Sequence, residues 1–533
     1  MDYPLLLSTF GRDHGHHSWP RQRLLHECLR HAIRTGTLAA GTRLMATRAL
    51  AAELGMARNT VLYAYGQLAS EGFVVPDRRG TVVGRVVPEP GREAGPAPWR
   101  GAPLPAVQAG LSRRAMNLRP LSNGASDGQA FVPGVPDLHA FPLALWRRLL
   151  DRAWRGLDPA RLNYGDPAGE WVLRVAIADY LRASRGVVCE AQQVFITDGS
   201  QGTLDLCARA CADEGDIVWH ENPGYGGALA AFRHAGLAVH GIPVDEEGMA
   251  PSAQDWRDRR PKLVYTTPSH QYPVGTVLSL ARRLALIEGA RSAGALVIED
   301  DYDSEFRHDG PPLAAMQGLA VDAPVLYCGT FSKTMFPGLR IGYLVAPPGL
   351  APQLAHLRAQ AVAAGRTAEQ LALAKFLADG HFLLHLRRMR RLYRQRRDAL
   401  VAALERHLGR IATIHGASAG MHLSLRLPDW LPDDTIRARA RQEGIAVNAL
   451  STHAVQGTPM WNGLMLGYAQ VPAEAMDGLV KRLAAVVHLV AYEARRDAGK
   501  TAGSDAGSNP GTKSAGKPAL VKPKVGRTAR QNA

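Results

Sequence analysis

Cysteine is scarce in this sequence of 533 residues, which contains five thiols. They are scattered along the chain at Cys28, Cys189, Cys207, Cys211 and Cys328. Their number is odd and none belongs to a Cys-x-x-Cys pair, so the cysteines predict neither a zinc site nor a dithiol redox site. Cys207 and Cys211 would share one face of a helix, where we expect buried thiols. No metal site is expected in the chain.

Long apolar runs are also missing. No stretch approaches the roughly 18–20 apolar residues that cross a membrane. The start, Met1-Asp2-Tyr3-Pro4, lacks the basic and apolar segments and the cleavage site of a secretion signal. We therefore expect a cytoplasmic protein with no membrane partner. The length exceeds the roughly 100–200 residues of one domain, which predicts two or more domains.

Acidic residues are outnumbered at both ends of the chain, whose formal net charge is +15. Residues 14–85 contain ten Arg, no Lys and four acidic residues, a balance of +6. From Arg495 to the end, nine basic residues oppose two acidic ones, a balance of +7. Residues 493–533 are rich in Gly, Ser, Ala, Lys and Pro, and we expect a disordered basic tail. Its charge would serve solubility or, alternatively, weak nonspecific DNA binding.

The N-terminal residues show a helical pattern followed by a hairpin pattern. Leu24, Leu25, Cys28, Leu29, Ala32 and Ile33 have helical spacing. The predicted elements are helices at 20–35, 46–54 and 57–68 and strands at 73–75 and 81–83. Three helices, with a tight turn between the second and third, and a two-stranded hairpin form a winged helix-turn-helix, predicted over residues 14–85.

Such a domain predicts particular DNA contacts. The N-terminal residues of the second helix of the pair reach base edges in the major groove, and the wing and the preceding helix contact the backbone. The predicted DNA-binding residues are Arg58, Asn59 and Thr60 for bases, Arg48 for phosphate, and Arg78, Arg79 and Gly80 in the wing. The alternative is a basic three-helix domain whose arginines are only solvated.

The rest of the chain has a different pattern. Residues 86–117 are rich in Pro, Gly and Ala and read as a linker. Over residues 118–492, short apolar runs are mostly separated by segments of helical periodicity, which predicts an α/β domain with a mostly parallel sheet. The predicted strands are 194–197, 216–219, 238–244, 262–266, 295–299, 325–328 and 341–346. Long helices from Ala359 and a later strand at 421–425 suggest a smaller C-terminal subdomain.

Polar and aromatic residues follow several of these strands, where ligands bind in open α/β sheets. Thr197 to Gly202 follows the first strand and opens a helix, whose free amides and Ser200 hydroxyl would hold a phosphate. Glu221 to Tyr225, Thr267 to Gly275 and Glu299 to Tyr302 follow other strands. The strand at 325–328 leads to Lys333.

This combination suits pyridoxal phosphate. Lys333 would form a Schiff base with the cofactor, Asp300 would keep the pyridine nitrogen protonated, and Tyr302 would donate to the ring oxygen. Tyr225 would stack on the ring and Arg340 would bind the phosphate. Each residue alone could be a solvated surface group or part of a turn. Five such segments in order at strand ends favour the cofactor site.

Residues from about 130 to 490 resemble class I/II aminotransferases of fold type I. The motif is Ser332-Lys333-x-x-x-Pro337-Gly338-Leu339-Arg340-x-Gly342-Tyr343, with Asp300-Asp301-Tyr302 upstream. The resemblance implies cofactor binding by Lys333, Asp300, Tyr302, Tyr225, Gly199, Ser200, Gln201, Thr330, Ser332 and Arg340. Tyr164 matches a tyrosine that reaches the phosphate of the neighbouring subunit, which implies a homodimer.

Two positions depart from the aminotransferase pattern. Tyr272 stands where these enzymes have an Asn before the Pro of their Asn-Pro-Thr-Gly motif. Met465 stands where they have the Arg that clamps the substrate carboxylate. Losing that clamp removes a group that orients the substrate, so the sequence favours cofactor binding over turnover.

Residues 14–85 resemble the GntR-type winged helix, through Ala46-Thr47-Arg48-Ala49-Leu50-Ala51 and Leu68-Ala69-Ser70-Glu71-Gly72-Phe73 among other segments. A GntR-like winged helix that is joined by a linker to an aminotransferase-like domain is the architecture of the MocR-type transcription regulators, which this chain therefore resembles. The resemblance implies a homodimer on a double-stranded operator with two half-sites. The effector would be pyridoxal phosphate itself, slightly favoured by the absent clamp, or an amine or amino acid.

Two alternatives remain. One is an active aminotransferase with an appended DNA-binding domain. The other is a regulator whose cofactor pocket only supports the dimer.

Overall fold

The computed structural model describes residues 1–13, 19–78, 80–84, 129–310, 313–361, 365–455 and 461–505. It contains two compact units, Met1–Ala109 and Gly110–Ala533. The predicted linker, 86–117, and the end of the predicted tail, 506–533, lie outside the described residues. No described helix is both long and apolar enough to cross a membrane.

The first unit is the predicted winged helix-turn-helix. Its elements are α1 (Tyr3–Asp13), α2 (Arg21–Arg34), α3 (Thr47–Glu53), α4 (Arg58–Ser70), β1 (Val74–Asp77) and β2 (Gly80–Val83). The two strands pair antiparallel, with Val74 opposite Val83. Helix α1 was not predicted and lies before the expected domain start at residue 14. Tyr3 is buried against the core of this unit, so the helix is part of it.

The core of the first unit follows from the helical periodicity. Leu25 and Leu29 of α2, Leu50 of α3, and Val61 and Leu68 of α4 are almost fully buried in one cluster. With Ala64 and Tyr65 of α4 and Ala32 of α2, the buried side chains of these two helices recur every three to four residues, so one face of each is apolar. The opposite face of α4 is left exposed.

The second unit contains the predicted mixed, mostly parallel sheet. Its strands are β3 (Val194–Thr197), β4 (Ile217–Asn222), β5 (Ala238–Asp245), β6 (Gly248–Met249), β7 (Leu263–Thr266), β8 (Leu296–Asp301), β9 (Val325–Thr330) and β10 (Gly342–Val345). The order is β3-β10-β9-β8-β7-β4-β5-β6. Strand β10 runs antiparallel to both β3 and β9, while β5, β4, β7, β8 and β9 pair in parallel.

Neighbouring residues of the central strands enter different cores. Tyr265 and Ile298 belong to one cluster, and the adjacent Val264 and Val297 belong to another. Because successive side chains of a strand point to opposite faces, the sheet is covered on both faces. The covering helices are α5 (Leu143–Arg155), α6 (Trp171–Arg185), α7 (Gly199–Cys211), α8 (Gly226–His234), α9 (Ala253–Asp258), α10 (Leu280–Ala293), α11 (Ala351–Ala361) and α12 (Thr367–Ala378).

The small C-terminal subdomain has a four-stranded antiparallel sheet. It comprises α13 (His381–Leu408), β11 (Thr413–His415), β12 (His422–Arg426), α14 (Asp433–Gln442), β13 (Asn448–Ala449), β14 (Gly463–Gly467) and α15 (Met476–Asp505). The strand order is β11-β12-β14-β13. Helix α15 corrects one prediction, because 493–505 were expected to belong to the disordered tail and are helical. These residues form the end of the same helix whose earlier part is amphipathic and packs Val480, Leu483 and Val487 into the core.

Candidate cofactor and DNA-binding sites

A cavity of about 880 Å³ lies in the second unit. It meets the sheet at Asp300, near the carboxyl end of β8, and at Lys333, just beyond β9. Eight residues predicted from the sequence line it: Ser200, Gln201, Tyr225, Asp300, Tyr302, Ser332, Lys333 and Arg340. The cavity is within the range of roughly 300–1,000 Å³ that is usual for ligand pockets.

Three of the predicted residues do not line this cavity. Gly199 lies just behind it, where an added Cβ would stand 3.3 Å from the Arg340 guanidinium carbon. Thr330 is buried, and its hydroxyl donates to the Ser332 hydroxyl at 3.1 Å. Tyr164 is 85 % exposed on the surface. Within one chain Tyr164 therefore has no part in the cavity.

Lys333 is positioned by a main-chain contact. Its Nζ atom donates to the Gly134 carbonyl at 2.5 Å. Burial lowers the pKa of the Lys333 ammonium, while the carboxylates of Asp303 and Asp300 raise it. The net shift is downward, which favours the neutral, nucleophilic amine.

Asp300 is a buried carboxyl group on β8. It accepts a hydrogen bond from the Tyr265 hydroxyl at 2.8 Å. Burial raises the pKa of Asp300 to about 7, although the Tyr265 hydrogen bond opposes the shift. A carboxyl group in this state favours a partner that donates a proton or carries positive charge.

The N-terminus of α7 and Arg340 face each other across a short gap. The helix begins at Gly199, whose φ of 77° suits glycine, and Ser200 follows on the cavity wall. Arg340 has a φ of 51°, a left-handed conformation that is strained for a residue with a Cβ. Its guanidinium donates to the Asp198 carbonyl at 2.7 Å. Free amides, a hydroxyl and a guanidinium are groups that can bind a phosphate.

Three tyrosines form an aromatic wall. The rings of Tyr225 and Tyr272 meet edge to face at 5.3 Å, and those of Tyr272 and Tyr302 at 6.1 Å. The Tyr302 hydroxyl donates to the His270 carbonyl at 2.8 Å. Tyr272, which replaces the Asn of the aminotransferase pattern, lines the cavity and is hydrogen-bonded to Asn448.

Next to this wall lies a buried cluster that the sequence did not indicate. His270 Nδ1 is 3.1 Å from Asp303 Oδ2, and the ring of His422 is 4.5 Å from that of His270. The possible ligand atoms of these three residues lie within 4.8 Å of one another, which is compatible with a metal ion. His270 and Asp303 already bond each other, so we treat the cluster as a hydrogen-bond network. His422 Nε2 is buried and has no partner among the described residues.

The position of Met465 agrees with the absence of a carboxylate clamp. Met465 is fully buried on β14 and packs with Val274, Leu450 and Trp461. It does not line the cavity. This strand position therefore contributes no positive charge to the cavity wall.

Sequence reasoning missed other residues of the cavity wall. They include Gln129, Gly134, Asp303, His422, Asn448 and two arginines of α14, Arg437 and Arg441. Most come from the C-terminal subdomain or from the segment before α5, far along the chain from Lys333. Asp303 alone had a local signal, since it follows Asp300 and Tyr302 by one to three residues.

Most of the predicted DNA-contacting residues that the structure describes are exposed on the first unit. Arg48 is exposed on α3, and Arg58 and Asn59 are exposed at the start of α4, where Thr60 is half-buried. In the wing Arg78 and Gly80 are exposed, while Arg79 lies outside the described residues. The exposed ring of Tyr63, one turn after Asn59, extends this face and was not predicted.

Both units match known families. Residues 22–83 match the model of bacterial regulatory proteins of the gntR family, and residues 137–483 match that of class I and II aminotransferases. The latter are pyridoxal phosphate-dependent. A crystal structure of Pyrococcus horikoshii kynurenine aminotransferase superposes with a TM-score of 0.64 and 28 % identity, covering 71 % of this chain and 96 % of that one.

Two relatives that match over most of this chain are named as regulators. The probable rhizopine catabolism regulatory protein MocR of Rhizobium meliloti is 40 % identical over 86 % of this chain and 92 % of its own length. The pyridoxine biosynthesis transcriptional regulator PdxR of Corynebacterium glutamicum is 33 % identical, covering 92 % and 99 %. The chain contains a GntR domain followed by an aminotransferase domain, and it matches these regulators over nearly their whole length. It therefore belongs to the MocR-type transcription regulators.

Proposed function

We propose that this regulator holds pyridoxal phosphate on Lys333 and uses it to sense an amine, an amino acid or the cofactor itself. The observation that carries the proposal is that Lys333, Asp300 and Arg340 line one cavity. They come from two neighbouring parallel strands and the loop beyond them, the usual place of a ligand in an α/β sheet.

The residues fit the cofactor at each of its functional groups. The lowered pKa of Lys333 suits an amine that forms a Schiff base. Asp300, buried and with a raised pKa, would pair with the pyridinium nitrogen. The N-terminus of α7 and Arg340 would bind the phosphate. When bound, the cofactor would supply an aldehyde and an electron-accepting ring.

The remaining predicted residues have supporting roles in this proposal. Tyr225 would stack on the ring, and Gln201 fixes the start of the neighbouring helix because its amide donates to the Gly227 carbonyl at 2.9 Å. Thr330 holds Ser332 in place through their hydroxyls. The Tyr302 hydroxyl, which here donates to the His270 carbonyl, would turn its proton to the ring oxygen when the cofactor binds.

A homodimer is proposed on the position of Tyr164. A tyrosine that is 85 % exposed beside Leu162, which is 67 % exposed, favours a contact with a second chain. There its hydroxyl would complete the phosphate site of the partner subunit. Light scattering in solution would give twice the chain mass, and a monomeric mass would contradict this.

For DNA, we propose that α4 enters the major groove with Arg58, Asn59 and Thr60 at the bases, while Arg48 and the wing hold the backbone. Two such domains would bind two half-sites of an operator. A ligand that displaces Lys333 from the cofactor would change DNA binding only if it binds one arrangement of the protein more tightly.

An active aminotransferase is the second candidate, favoured by the complete set around Lys333. Met465 speaks against it, because without a clamp the substrate is not oriented for proton removal. The third candidate, a pocket that only supports the dimer, predicts DNA binding that is indifferent to the cofactor.

Cofactor attachment tests the proposal. Wild-type protein mixed with pyridoxal phosphate should develop visible absorbance, and borohydride reduction should leave a pyridoxyl group on the Lys333 peptide. Lys333→Ala should show neither, whereas Lys375→Ala, which removes an exposed lysine paired with Asp379, should behave as wild type. Attachment elsewhere would contradict the assignment. Sustained multiple-turnover exchange of amino and keto acids would instead support the enzyme.

A further inference from the structure

Helix α14 presents two arginines to the cavity. Arg437, Ala438 and Arg441 line it together, and residues four apart lie on the same helix face. The helix is firmly attached to the small sheet through buried Asp433. This carboxylate accepts hydrogen bonds from the Ser451 hydroxyl at 2.5 Å and from the Gly463 amide at 3.0 Å. The two guanidinium groups therefore extend from a rigid support.

Neither guanidinium has an acidic partner in the described part of the chain. Arg437 Nε is buried and makes no hydrogen bond there. Other arginines nearby are paired: Arg439, on another face of α14, contacts Glu493 at 2.7 Å, and Arg482 contacts Glu443. A buried N–H donor without an acceptor is destabilising, so Arg437 is poised for an anion from outside. Arg441, one turn further on, is exposed and adds a second positive charge beside it.

The acidic and basic residues of the cavity wall have different electrostatic partners. Asp300 and Asp303 act on Lys333, whose ammonium they stabilise. Arg437 acts instead on His453, whose pKa falls to about 4 because of burial and partly because of this positive charge. Arg340 is engaged at the N-terminus of α7. The α14 pair is thus the cationic part of the wall that the cofactor would leave free.

Because Met465 stands in place of the carboxylate-binding Arg of aminotransferases, Arg437 and Arg441 are the residues that could bind a carboxylate instead. The strand position that holds the carboxylate-binding Arg in aminotransferases is filled here by an apolar side chain turned into the cluster of Val274, Leu450 and Trp461. Both α14 and β14 belong to the small subdomain, so a clamp on α14 approaches the cavity from the same subdomain.

We propose that Arg437 and Arg441 form an anion subsite that binds the carboxylate or phosphate group of an effector amine. The inference rests on the proposed function, since the amine would react at the cofactor on Lys333. It reverses the expectation, drawn from Met465 alone, that the effector is the cofactor without an amine. A planar guanidinium suits both carboxylate and phosphate, because each can accept two parallel hydrogen bonds.

Matched ligand pairs test the subsite on the cofactor-loaded protein. β-Alanine and propylamine differ in a carboxylate, and O-phosphoethanolamine and ethanolamine differ in a phosphate. Binding is read from the change in cofactor absorbance. We expect one charged member to bind about tenfold or more tightly than its uncharged match, the scale of one good charge-assisted contact. The pair that shows the preference identifies the anion.

Variants locate the effect. Arg437→Ala and Arg441→Ala should remove about tenfold of the affinity for the charged ligand and leave the uncharged one unchanged. Arg439→Ala, on the same helix but paired with Glu493, should leave both unchanged. Equal affinities within both pairs in wild-type protein would overturn the subsite, as would an equal loss for charged and uncharged ligands in Arg437→Ala. So would a loss of stability or dimer mass without a change in preference.

A second measurement does not need the cofactor. Phenylglyoxal modifies accessible arginines, and peptide masses show which ones. O-phosphoethanolamine or β-alanine should protect Arg437 and Arg441 and not Arg439. If wild-type protein fails to take up pyridoxal phosphate while this protection is seen, the proposed function fails and the subsite stands. If the cofactor binds and neither ligand protects, the subsite is wrong and the proposed function stands.

Discussion

The Tyr265 hydroxyl donates a hydrogen bond to Asp300 at 2.8 Å, inside the wall of the cavity that also contains Lys333. Burial of the Asp300 carboxyl group disfavours its charged form, and this one hydrogen bond offsets the effect only in part, so the pKa of Asp300 rises to about 7. The raised pKa shifts Asp300 of the cofactor-free protein towards its protonated form. A protonated pyridine nitrogen would stabilise its ionised form.

A pH dependence follows from Asp300. Because its folded pKa of about 7 lies above the ordinary value of 3.8, the folded state binds more protons between these values. Stability of the cofactor-free second unit should therefore fall as pH rises from about 4 to about 7. The contribution of Asp300 is at most about 4 kcal/mol, at about 1.4 kcal/mol per unit.

The measurement is denaturant unfolding at several pH values. In Asp300→Asn the decrease in unfolding free energy with rising pH should be smaller but still present, because burial also raises the pKa of Glu299 and of Glu305 to about 7. Pyridoxal phosphate should reduce this pH dependence in the wild-type protein and not in Asp300→Asn. An unchanged slope in Asp300→Asn would show that Asp300 is already ionised.

Base and backbone contacts of the winged helix predict different phenotypes. Arg58→Ala should weaken operator binding by roughly 5- to 150-fold and reduce discrimination against unrelated DNA, since a base contact contributes about 1–3 kcal/mol. Arg48→Ala should weaken binding to both DNAs similarly and lower the salt slope by about 1. Arg23→Ala, which removes an exposed arginine stacked on Trp19, is the charge-matched control. If Arg58→Ala, Arg48→Ala and Arg23→Ala lose the same affinity for operator and for unrelated DNA, then Arg58 and Arg48 bind DNA only through their positive charge.

Restoring the missing arginine at Met465 should not create an aminotransferase. Met465→Arg would place a charge among Val274, Leu450 and Trp461, so we expect a loss of about 3–5 kcal/mol from the second unit. Denaturant unfolding measures the loss, and Met465→Leu should cost less than about 1.5 kcal/mol. A stable Met465→Arg protein with new transamination activity would show that the side chain can face the ligand after all.

Local patterns predicted the elements of both units well. The helix expected at 20–35 is found at Arg21–Arg34, and the strand expected at 194–197 is found there. The helix has a regular apolar period between Pro20 and Gly36, and the strand is a short apolar run that ends just before Asp198 and Gly199, so neither prediction needed a distant residue. Helix α1 has no such context, since burial of Tyr3 depends on residues that follow much later in the chain.

The cavity was predictable where its residues share a motif. Ser332, Lys333 and Arg340 follow one strand, and their spacing in the sequence is itself informative. Arg437, Arg441 and His422 carry no motif, and they reach the cavity because the small subdomain packs beside the large sheet. Tyr164, by contrast, needs a second chain before its proposed role can be fulfilled.

The central claim is that the cofactor on Lys333 controls DNA binding. It is tested most directly by titrating the full-length protein on DNA from its own upstream region, with and without pyridoxal phosphate, using wild type and Lys333→Ala. We predict that the cofactor changes the wild-type affinity at least severalfold and leaves Lys333→Ala unaffected, while both proteins bind the same operator. Equal wild-type DNA affinities without cofactor, with bound cofactor, and with bound cofactor plus each charged amine would contradict the account and show that the pocket is no sensor.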